Sequence, residues 1–124
     1  MTCYCGNSKD FNACCSLIHD GTVSPPSAEV LMRARYSAFA VGNIDFLYDT
    51  FHPSTRRYQN KKDIKNWATE NKWLKLEIMA STLQTVEFKA YFKDHNDNVQ
   101  IHHEKSNFKE LQGRWYYVDG RLTK

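Results

Sequence analysis

The chain lacks several features that would assign it to a class at once. No stretch of its 124 residues approaches the run of roughly 20 apolar residues that a membrane-spanning helix needs. It contains no internal repeat, no low-complexity tract, no glycine-rich phosphate loop and no cofactor-binding fingerprint. No nucleophile and base have a spacing that is typical of a catalytic pair. These absences exclude a membrane-spanning helix and leave one small folded domain without an obvious catalytic motif.

The first residues also lack the charged and then apolar segment with which a secreted chain begins. Met1–Tyr4 is neither charged nor continuously apolar. We therefore expect a cytoplasmic protein, in a compartment where thiols stay reduced.

Cysteine is absent after residue 15, so the four cysteines are confined to the start of the chain. They form two close pairs, Cys3 with Cys5 and Cys14 with Cys15, in the spacing C-x-C-x8-C-C. Two such pairs joined by a short, turn-prone loop can bring four thiolates to one ion, as a tetrahedral zinc site requires. We predict that all four bind zinc, and that this closed site is structural because no ligand position is left for a substrate.

Alternatives to this assignment stay open. A disulfide framework is disfavoured because the adjacent Cys14 and Cys15 do not readily bridge each other. His19 could replace Cys15 as the fourth ligand, although a thiolate would then stand idle beside the metal. Iron accepts the same four thiolates as zinc.

Net charge gives little evidence for a nucleic-acid partner. The formal net charge is +3, but four thiolates and one divalent ion would reduce it to about +1. The stretch from Arg56 to Lys65 is more basic and could contact RNA or an acidic protein. A solvated helix face is the simpler explanation of that stretch, and we expect no DNA and no membrane partner.

The order of periodic segments predicts helices first and strands afterwards. A turn-prone stretch over residues 20–26 separates the cysteine segment (residues 1–20) from a second unit (residues 27–124). Capping residues and helical periodicity predict helices over 28–41, 44–52 and 60–71. Alternating apolar residues predict strands over 74–80, 86–93, 99–109 and 114–118. This order indicates an α+β fold, with helices packed on one face of a curved antiparallel sheet.

One charged residue interrupts the apolar stripe of the first predicted helix. Arg35 lies three residues after Met32 and four before Phe39, both of which belong to that stripe. A buried guanidinium must be paired or must face a polar cavity. The helix therefore predicts a polar contact inside the fold.

The third predicted strand contains a conflict in its alternation. Val99 and Ile101 mark one apolar face, whereas Phe108 shares the opposite face with Glu104. Either the strand bulges near His103, or Glu104 and the polar residues two positions to each side of it face the helices. In the second case Glu104 is a natural counter-charge for the buried arginine.

These polar residues allow a structural and a functional interpretation. The simpler one is a salt bridge between Arg35 and Glu104 inside a core. The other is a pocket, for which the candidates are Arg35, Tyr36, His52, Glu104 and Trp115. There Glu104 or His52 would act as general base and Arg35 would hold an anionic substrate or enolate. Tyr36 and Trp115 would form the walls.

Several motifs together resemble known families. The cysteine segment, C-x-C-G-x7-C-C, resembles the SEC-C motif, a zinc-binding knuckle. The rest of the chain resembles, in order and over nearly its whole length, the YchJ family of bacterial proteins. The segments that carry this second resemblance are Leu31–Phe39, Thr50–Thr55, His103–Phe108 and Gly113–Gly120.

The resemblance implies an architecture rather than an activity. It implies a SEC-C knuckle over residues 1–20 and, over residues 27–124, a nuclear transport factor 2-like domain, a cone-shaped cavity between a bent sheet and helices. Tyr4 and Asn7 stand where SEC-C sequences commonly have proline and serine, and neither position supplies a ligand. Relatives often end in a second SEC-C copy, which this sequence lacks, so a function that bridges two partners is not expected.

The resemblance leaves two classes of function. SEC-C knuckles are similar to modules that contact proteins and ribosomes, so we predict a metal-stabilised binding module rather than an enzyme. Tyr4, Lys9 and Phe11 would contact its protein or ribosomal partner. The alternative is a small-molecule enzyme of isomerase, dehydratase or hydrolase type that uses the cone around Arg35 and Glu104. A hollow cone would favour this alternative, and a cone packed solid with phenylalanine would exclude it.

Overall fold

In the computed structural model, which describes residues 2–123, helices precede strands as predicted. The α-helices within those residues are α1 (Cys15–His19), α2 (Ala28–Val41), α3 (Ile44–Asp49), α4 (Pro53–Arg56) and α5 (Lys61–Glu70), and a 3-10 helix covers Phe11–Ala13. The strands are β1 (Lys72–Ser81), β2 (Thr85–Lys93), β3 (Val99–Leu111) and β4 (Arg114–Leu122). The strands form one antiparallel sheet in the order β1-β2-β3-β4. Across the described residues, no helix is long and apolar enough to cross a membrane.

Helix α2 begins and ends where its capping residues predict. The Ser27 hydroxyl accepts a hydrogen bond from the Val30 N–H at 3.2 Å, and Gly42 ends the helix with a φ of 79°. Leu31 and Tyr36 are fully buried on α2. They form the main core with the inner face of the sheet, where Val86 and other alternate residues of β2 are buried.

The second predicted helix is shorter in the structure, and an unpredicted short helix follows it. Helix α3 ends at Asp49, before the proline is reached. His52 has an extended backbone, with ψ of 141°, as expected before proline. Its imidazole Nδ1 accepts a hydrogen bond from the Ser54 N–H at 3.1 Å, and Pro53 is the first residue of α4. The second helix was thus predicted three residues too long, and α4 was not predicted. Proline at the first helical position sacrifices no hydrogen bond, so a helix can begin at Pro53.

Strand β1 departs from simple alternation at two bulges. Its register with β2 shifts between Trp73 and Lys75, and again between Ile78 and Ala80. The first shift turns Leu74 outward, where 41% of its surface is exposed, although alternation placed it with the inward residues. Trp73 takes that inward position and packs against the core. Bulges bend and twist a strand, and these two contribute to the curvature of the sheet.

The conflict in the third strand is resolved in favour of inward polar residues. Strands β2 and β3 pair without a register shift, so β3 does not bulge near His103. Ser106 is buried and Glu104 is half-buried on the helix-covered face, while Ile101 is exposed on the outer face. The register shift along β3 lies at Asn107–Phe108, in its pairing with β4. Polar groups therefore enter the interior of the cone from β3.

Candidate metal centre and cone cavity

The four cysteine sulfurs lie together beside α2. All four Sγ atoms are within 4.8 Å of one another, and those of Cys5 and Cys14 are 3.7 Å apart. Four sulfurs at about 2.3 Å from a central zinc ion would be roughly 3.8 Å apart. The donor set and its spacing therefore fit a tetrahedral metal site, and Cys3, Cys5, Cys14 and Cys15 can bind a metal.

The cysteine segment is packed onto the rest of the fold by its backbone and by a buried face. Cys3, Cys5 and Cys15 are buried in a cluster with Ala34 of α2. The Arg33 Nη1 of the same helix donates a hydrogen bond to the Cys5 carbonyl at 2.6 Å. The knuckle and α2 are therefore in direct contact.

Gly6 makes this close contact possible. Its φ of +90° turns the chain sharply after Cys5, and a Cβ at this position would lie 3.3 Å from the Arg33 Nη1. Glycine adopts positive φ without steric penalty. Gly6 thus supplies both the turn between the cysteine pairs and the room for the arginine.

His19 lies outside the sulfur cluster. Its Nε2 is 2.8 Å from the Ala34 carbonyl, and a carbonyl only accepts, so Nε2 carries the proton. The ring packs against Phe11 and Phe46 at centroid distances of 5.7 and 4.6 Å, and burial lowers the pKa of His19. The imidazole is therefore a neutral packing group that anchors α1 to α2.

The thiols of Cys5, Cys14 and Cys15 differ in acidity because of burial and of hydrogen bonds within the cluster. A hydrogen bond from Cys15 is the main cause that lowers the pKa of Cys5 to about 5. Burial raises the pKa of Cys14 to about 11, and the hydrogen bond with Cys5 raises the pKa of Cys15. One thiolate is thus stabilised by its neighbours, which is the starting point for metal binding.

The cone is hollow. A cavity of about 450 Å³ lies between α2, α5 and the inner face of the sheet, within the range of roughly 300–1,000 Å³ typical of small-molecule pockets. Its walls are mainly aromatic, with a few polar groups. The aromatic lining residues are Tyr36, Phe39, Phe51, Tyr58, Trp67, Trp73, Phe88 and Tyr117, and the ionisable ones besides the tyrosines are Arg35, His102, Glu104 and Asp119.

Arg35 is buried at this cavity between two aromatic rings. Its Cζ lies 4.6 Å from the ring centroid of Phe51 and 4.5 Å from that of Tyr117. Nη1 donates to the Leu47 carbonyl at 2.8 Å and to the Thr50 hydroxyl at 2.5 Å. Burial lowers the pKa of Arg35 to about 10, so the guanidinium is still charged at neutral pH. Cation–π contacts stabilise this charge where water does not.

Glu104 accepts hydrogen bonds from three side chains. The Tyr117 hydroxyl donates to Oε2 at 2.8 Å, the Ser106 hydroxyl donates to the same oxygen, and His102 Nε2 lies 2.8 Å from Oε1. Burial by itself would raise the pKa of Glu104, but the three hydrogen bonds outweigh burial and lower it. The carboxylate is therefore ionised at neutral pH.

Tyr117 stands between the two charges. Its ring contacts the Arg35 guanidinium and its hydroxyl donates to Glu104. The direct salt bridge expected between Arg35 and Glu104 is not formed in the described part of the chain. The arginine instead uses backbone oxygen, a hydroxyl and aromatic faces, which the sequence pattern did not reveal.

Of the remaining pocket candidates, one lines the cavity and two do not. Tyr36 lines the cavity, and within residues 2–123 its hydroxyl has no hydrogen-bond partner. His52 is not at the cavity, because its imidazole caps α4 and packs against Tyr116. Trp115 is not at the cavity either, because its ring is buried in the core between α2 and the sheet. His52 and Trp115 are therefore withdrawn as pocket residues.

Comparison with known proteins identifies the family. The family model described as "YchJ, middle NTF2-like domain" matches residues 27–120. The chain belongs to the YchJ family. A UPF0225 protein of Bordetella pertussis is 40% identical over 127 residues, which cover 97% of this chain and 92% of that protein. A UPF0225 protein of Actinobacillus succinogenes is 37% identical over 126 residues, which cover 97% of this chain and 81% of that protein.

Solved structures confirm the fold of this YchJ-family chain. The solution structure of RPA3114, a SEC-C motif containing protein from Rhodopseudomonas palustris, has a TM-score of 0.91 and 34% identity, and the match covers 100% of both chains. The crystal structure of a SEC-C motif containing protein from Psychrobacter arcticus has a TM-score of 0.81 and 30% identity, covering 100% of this chain and 84% of that one. The predicted architecture of helices on a curved sheet is confirmed.

Most cavity residues were not among the predicted candidates, and two of them, His102 and Gly120, bear directly on Glu104. One of the two interpretations of the third strand put His102 on the inner face with Glu104, but His102 was not named as a pocket residue. Gly120 lies beyond the predicted strand 114–118, whereas in the structure it lies within β4. A Cβ at Gly120 would overlap the Glu104 carboxylate and lie 2.8 Å from the Tyr117 hydroxyl. Glycine is needed there for space, and no sequence pattern could have shown this.

Glu104 should make the stability of the fold depend on pH. Because its folded-state pKa is lowered, its contribution is present above the unfolded value of about 4.3 and is lost as pH falls through the folded value. We expect Glu104→Gln to lower the free energy of unfolding at pH 7. The difference in this free energy between wild type and variant should shrink as the pH falls from about 5 to about 3. Urea unfolding of both proteins at each pH measures this difference. A difference that is constant with pH would contradict an ionised, hydrogen-bonded Glu104.

Proposed function

We propose that this YchJ-family chain is a zinc-stabilised domain whose cone binds a small organic molecule with an aromatic or otherwise planar body and an acidic group. The observation that carries the proposal is the 450 Å³ cavity with a buried guanidinium in its wall. Among the described residues, Arg35 donates hydrogen bonds only through Nη1. Nε and Nη2 therefore keep donors for a ligand oxygen.

The other polar groups support a ligand with two different ends. The acidic end would pair with Arg35, and a hydroxyl or amine at the other end would donate to Glu104 or Asp119, which also line the cavity. The Tyr36 hydroxyl, without a partner in residues 2–123, is a further buried polar group whose burial carries a penalty unless it is paired. Between these polar groups, stacked aromatic walls favour a planar body.

The knuckle offers less support for a partner-binding surface. Tyr4 packs against the main core and Phe11 packs against the cysteine cluster, so two of the three predicted contact residues are used internally. Lys9 remains exposed. Contact with a protein or ribosomal partner stays a prediction, and the cavity is the feature on which a function can be built.

Zinc is the metal we propose for the cysteine cluster, in a structural role. Four thiolates complete a tetrahedron, which is the arrangement of structural zinc sites and leaves no open position for chemistry. The bound metal would hold the loop of Cys3 and Cys5 to the start of α1. Through the contact of Cys5 with Arg33 it would also stabilise α2.

Metal analysis tests this assignment. We expect about one zinc per chain in protein purified without added metal, as for other four-thiolate sites, and little zinc in a Cys3→Ser variant. Ala13→Ser, an exposed position beside the second cysteine pair, is the matched control and should retain zinc. Inductively coupled plasma mass spectrometry measures both zinc and iron. Iron in place of zinc, or equal zinc content in the two variants, would contradict the assignment.

A fluorescent probe tests the cavity. The aromatic sulfonate 8-anilinonaphthalene-1-sulfonate combines a planar body with an anion. We expect it to bind saturably at one site per chain and to quench the two cavity tryptophans, Trp67 and Trp73. Ala90→Phe fills the cavity, and we expect it to weaken binding at least about tenfold, equivalent to roughly 1.4 kcal/mol.

Two further variants decide where the probe sits. Ala80→Phe makes the same change at an exposed position of β1 and should bind the probe like wild type. Arg35→Met should weaken binding of the anionic probe more than it weakens binding of the uncharged N-phenyl-1-naphthylamine. Equal binding by Ala90→Phe and Ala80→Phe, with both variants folded by circular dichroism, would show that the probe binds elsewhere and would refute the proposal.

A further inference from the structure

We infer that the cavity contains a proton-transfer centre, in which His102 is the general base and Glu104 positions it. The inference rests on the proposed function, because a base in the cavity acts only on a molecule bound there. It adds an activity to that function, namely removal of a proton from carbon next to a carbonyl group. Three observations on the inner face of β3 support it.

The hydrogen bond between the two residues fixes the imidazole tautomer. His102 Nε2 lies 2.8 Å from Glu104 Oε1. An ionised carboxylate only accepts, so Nε2 carries a proton, and in the neutral form of the ring the lone pair is then on Nδ1. Within residues 2–123, Nδ1 has no hydrogen-bond partner. A carboxylate that orients an imidazole and leaves its other nitrogen basic is the arrangement that general-base catalysis uses.

The carboxylate is itself held in place. Tyr117 and Ser106 both donate to its Oε2, and Gly120 of β4 leaves the space it occupies. A base that is fixed by a supporting shell on a regular strand keeps its geometry when a ligand enters. Glu104 is therefore a positioning residue, already occupied by three donors and poorly suited to accept a proton itself.

The ring of His102 faces the ligand space. It lines the cavity and lies between Phe88 and Trp67, with centroids 6.2 Å from each. About 29% of its side chain is exposed, so the base is accessible. In this aromatic surrounding the Glu104 carboxylate stabilises the imidazolium that forms when the proton is taken up.

The step needs no other reactant. His102 Nδ1 takes a proton from a carbon next to a carbonyl, the C–H electron pair forms a carbon–carbon double bond, and the carbonyl π pair moves onto oxygen to give an enolate. Arg35, the cation of the same cavity, would stabilise the enolate charge. Where the bound molecule has a carbon–carbon double bond between its β and γ carbons, the imidazolium returns the proton to the γ carbon. The β–γ π pair forms the new C–H bond, the double bond moves to the α–β position, and the oxygen pair re-forms the carbonyl, which completes an isomerisation of a carbonyl compound.

The sheet provides a matched control. On its outer face, His103 Nε2 lies 2.8 Å from Glu87 Oε2, the same distance as in the His102–Glu104 pair. The two histidines are adjacent in sequence and face opposite sides of β3. Only His102 lines the cavity. Comparing variants of the two therefore separates the effect of the cavity from the effect of a histidine–glutamate pair.

The experiment uses 5-nitrobenzisoxazole, a planar probe that opens when a base removes its ring C–H. The C–H pair becomes part of a nitrile, the N–O bond breaks, and the coloured 2-cyano-4-nitrophenolate is released. We expect the metal-loaded protein to show saturable turnover. We expect His102→Gln to lose at least about tenfold of kcat/KM, since general bases contribute roughly 10²–10⁴-fold, while His103→Gln retains the wild-type value.

Nitrogen NMR of the histidine rings tests the positioning role separately. Wild-type His102 should show the Nε2–H tautomer, and Glu104→Gln should change this tautomer population and lower kcat more than it raises KM. A wild-type Nδ1–H tautomer would overturn the inference, as would equal turnover by the His102 and His103 variants. Binding of 8-anilinonaphthalene-1-sulfonate without turnover of 5-nitrobenzisoxazole would refute proton transfer and leave the proposed function standing. Absence of both would refute both.

Discussion

Helix α2 is packed on two sides, and the arrangement of the rest of the molecule follows from this constraint. Adjacent residues of a helix point about 100° apart, so neighbouring positions serve different neighbours. Arg33 and Ala34 contact the cysteine segment, whereas Arg35 and Tyr36 line the cavity. A single helix is therefore the wall between a candidate metal centre and a candidate ligand site, and stability at one is expected to affect the other.

The cavity side of α2 is arranged around one buried cation. Removing a guanidinium from water is costly unless its charge and its N–H groups are compensated. Leu47 and Thr50 at the end of α3 supply oxygen acceptors, and Phe51 and Tyr117 supply aromatic faces. These groups come from α3, from the two residues that follow it and from β4, so the charge also ties α3 and β4 to α2. The Tyr117 hydroxyl then extends the network to Glu104 and, through it, to His102.

Much of the fold could be predicted from local chemistry. The Ser27 cap, the Gly42 stop and the alternation of β2 have local causes, and all three predictions are confirmed. The bulge at Leu74 and the helix that begins at Pro53 were not predicted. They depend on which partner the backbone meets in the folded chain, and alternation or a single proline does not report that.

The site was predicted only in part, because contacts that form in the folded chain are not visible in the sequence. Arg35 and Glu104 were found because a charge within an apolar stripe is visible in the sequence. The role of Tyr117 between them was not, because a tyrosine on an inward face is ordinary until its hydroxyl and ring are located. His52 was misplaced because a histidine before proline can equally be a cap, as it is here.

The central claim is that α2 couples the metal centre to the cavity, and amide hydrogen exchange with and without metal tests it most directly. We expect chelation of the metal to speed exchange throughout Ala28–Val41, including amides on the cavity side of the helix, while β2 keeps its protection. Exchange that increases only within residues 3–19 would contradict the account, because the knuckle would then be independent of the helix that lines the cone.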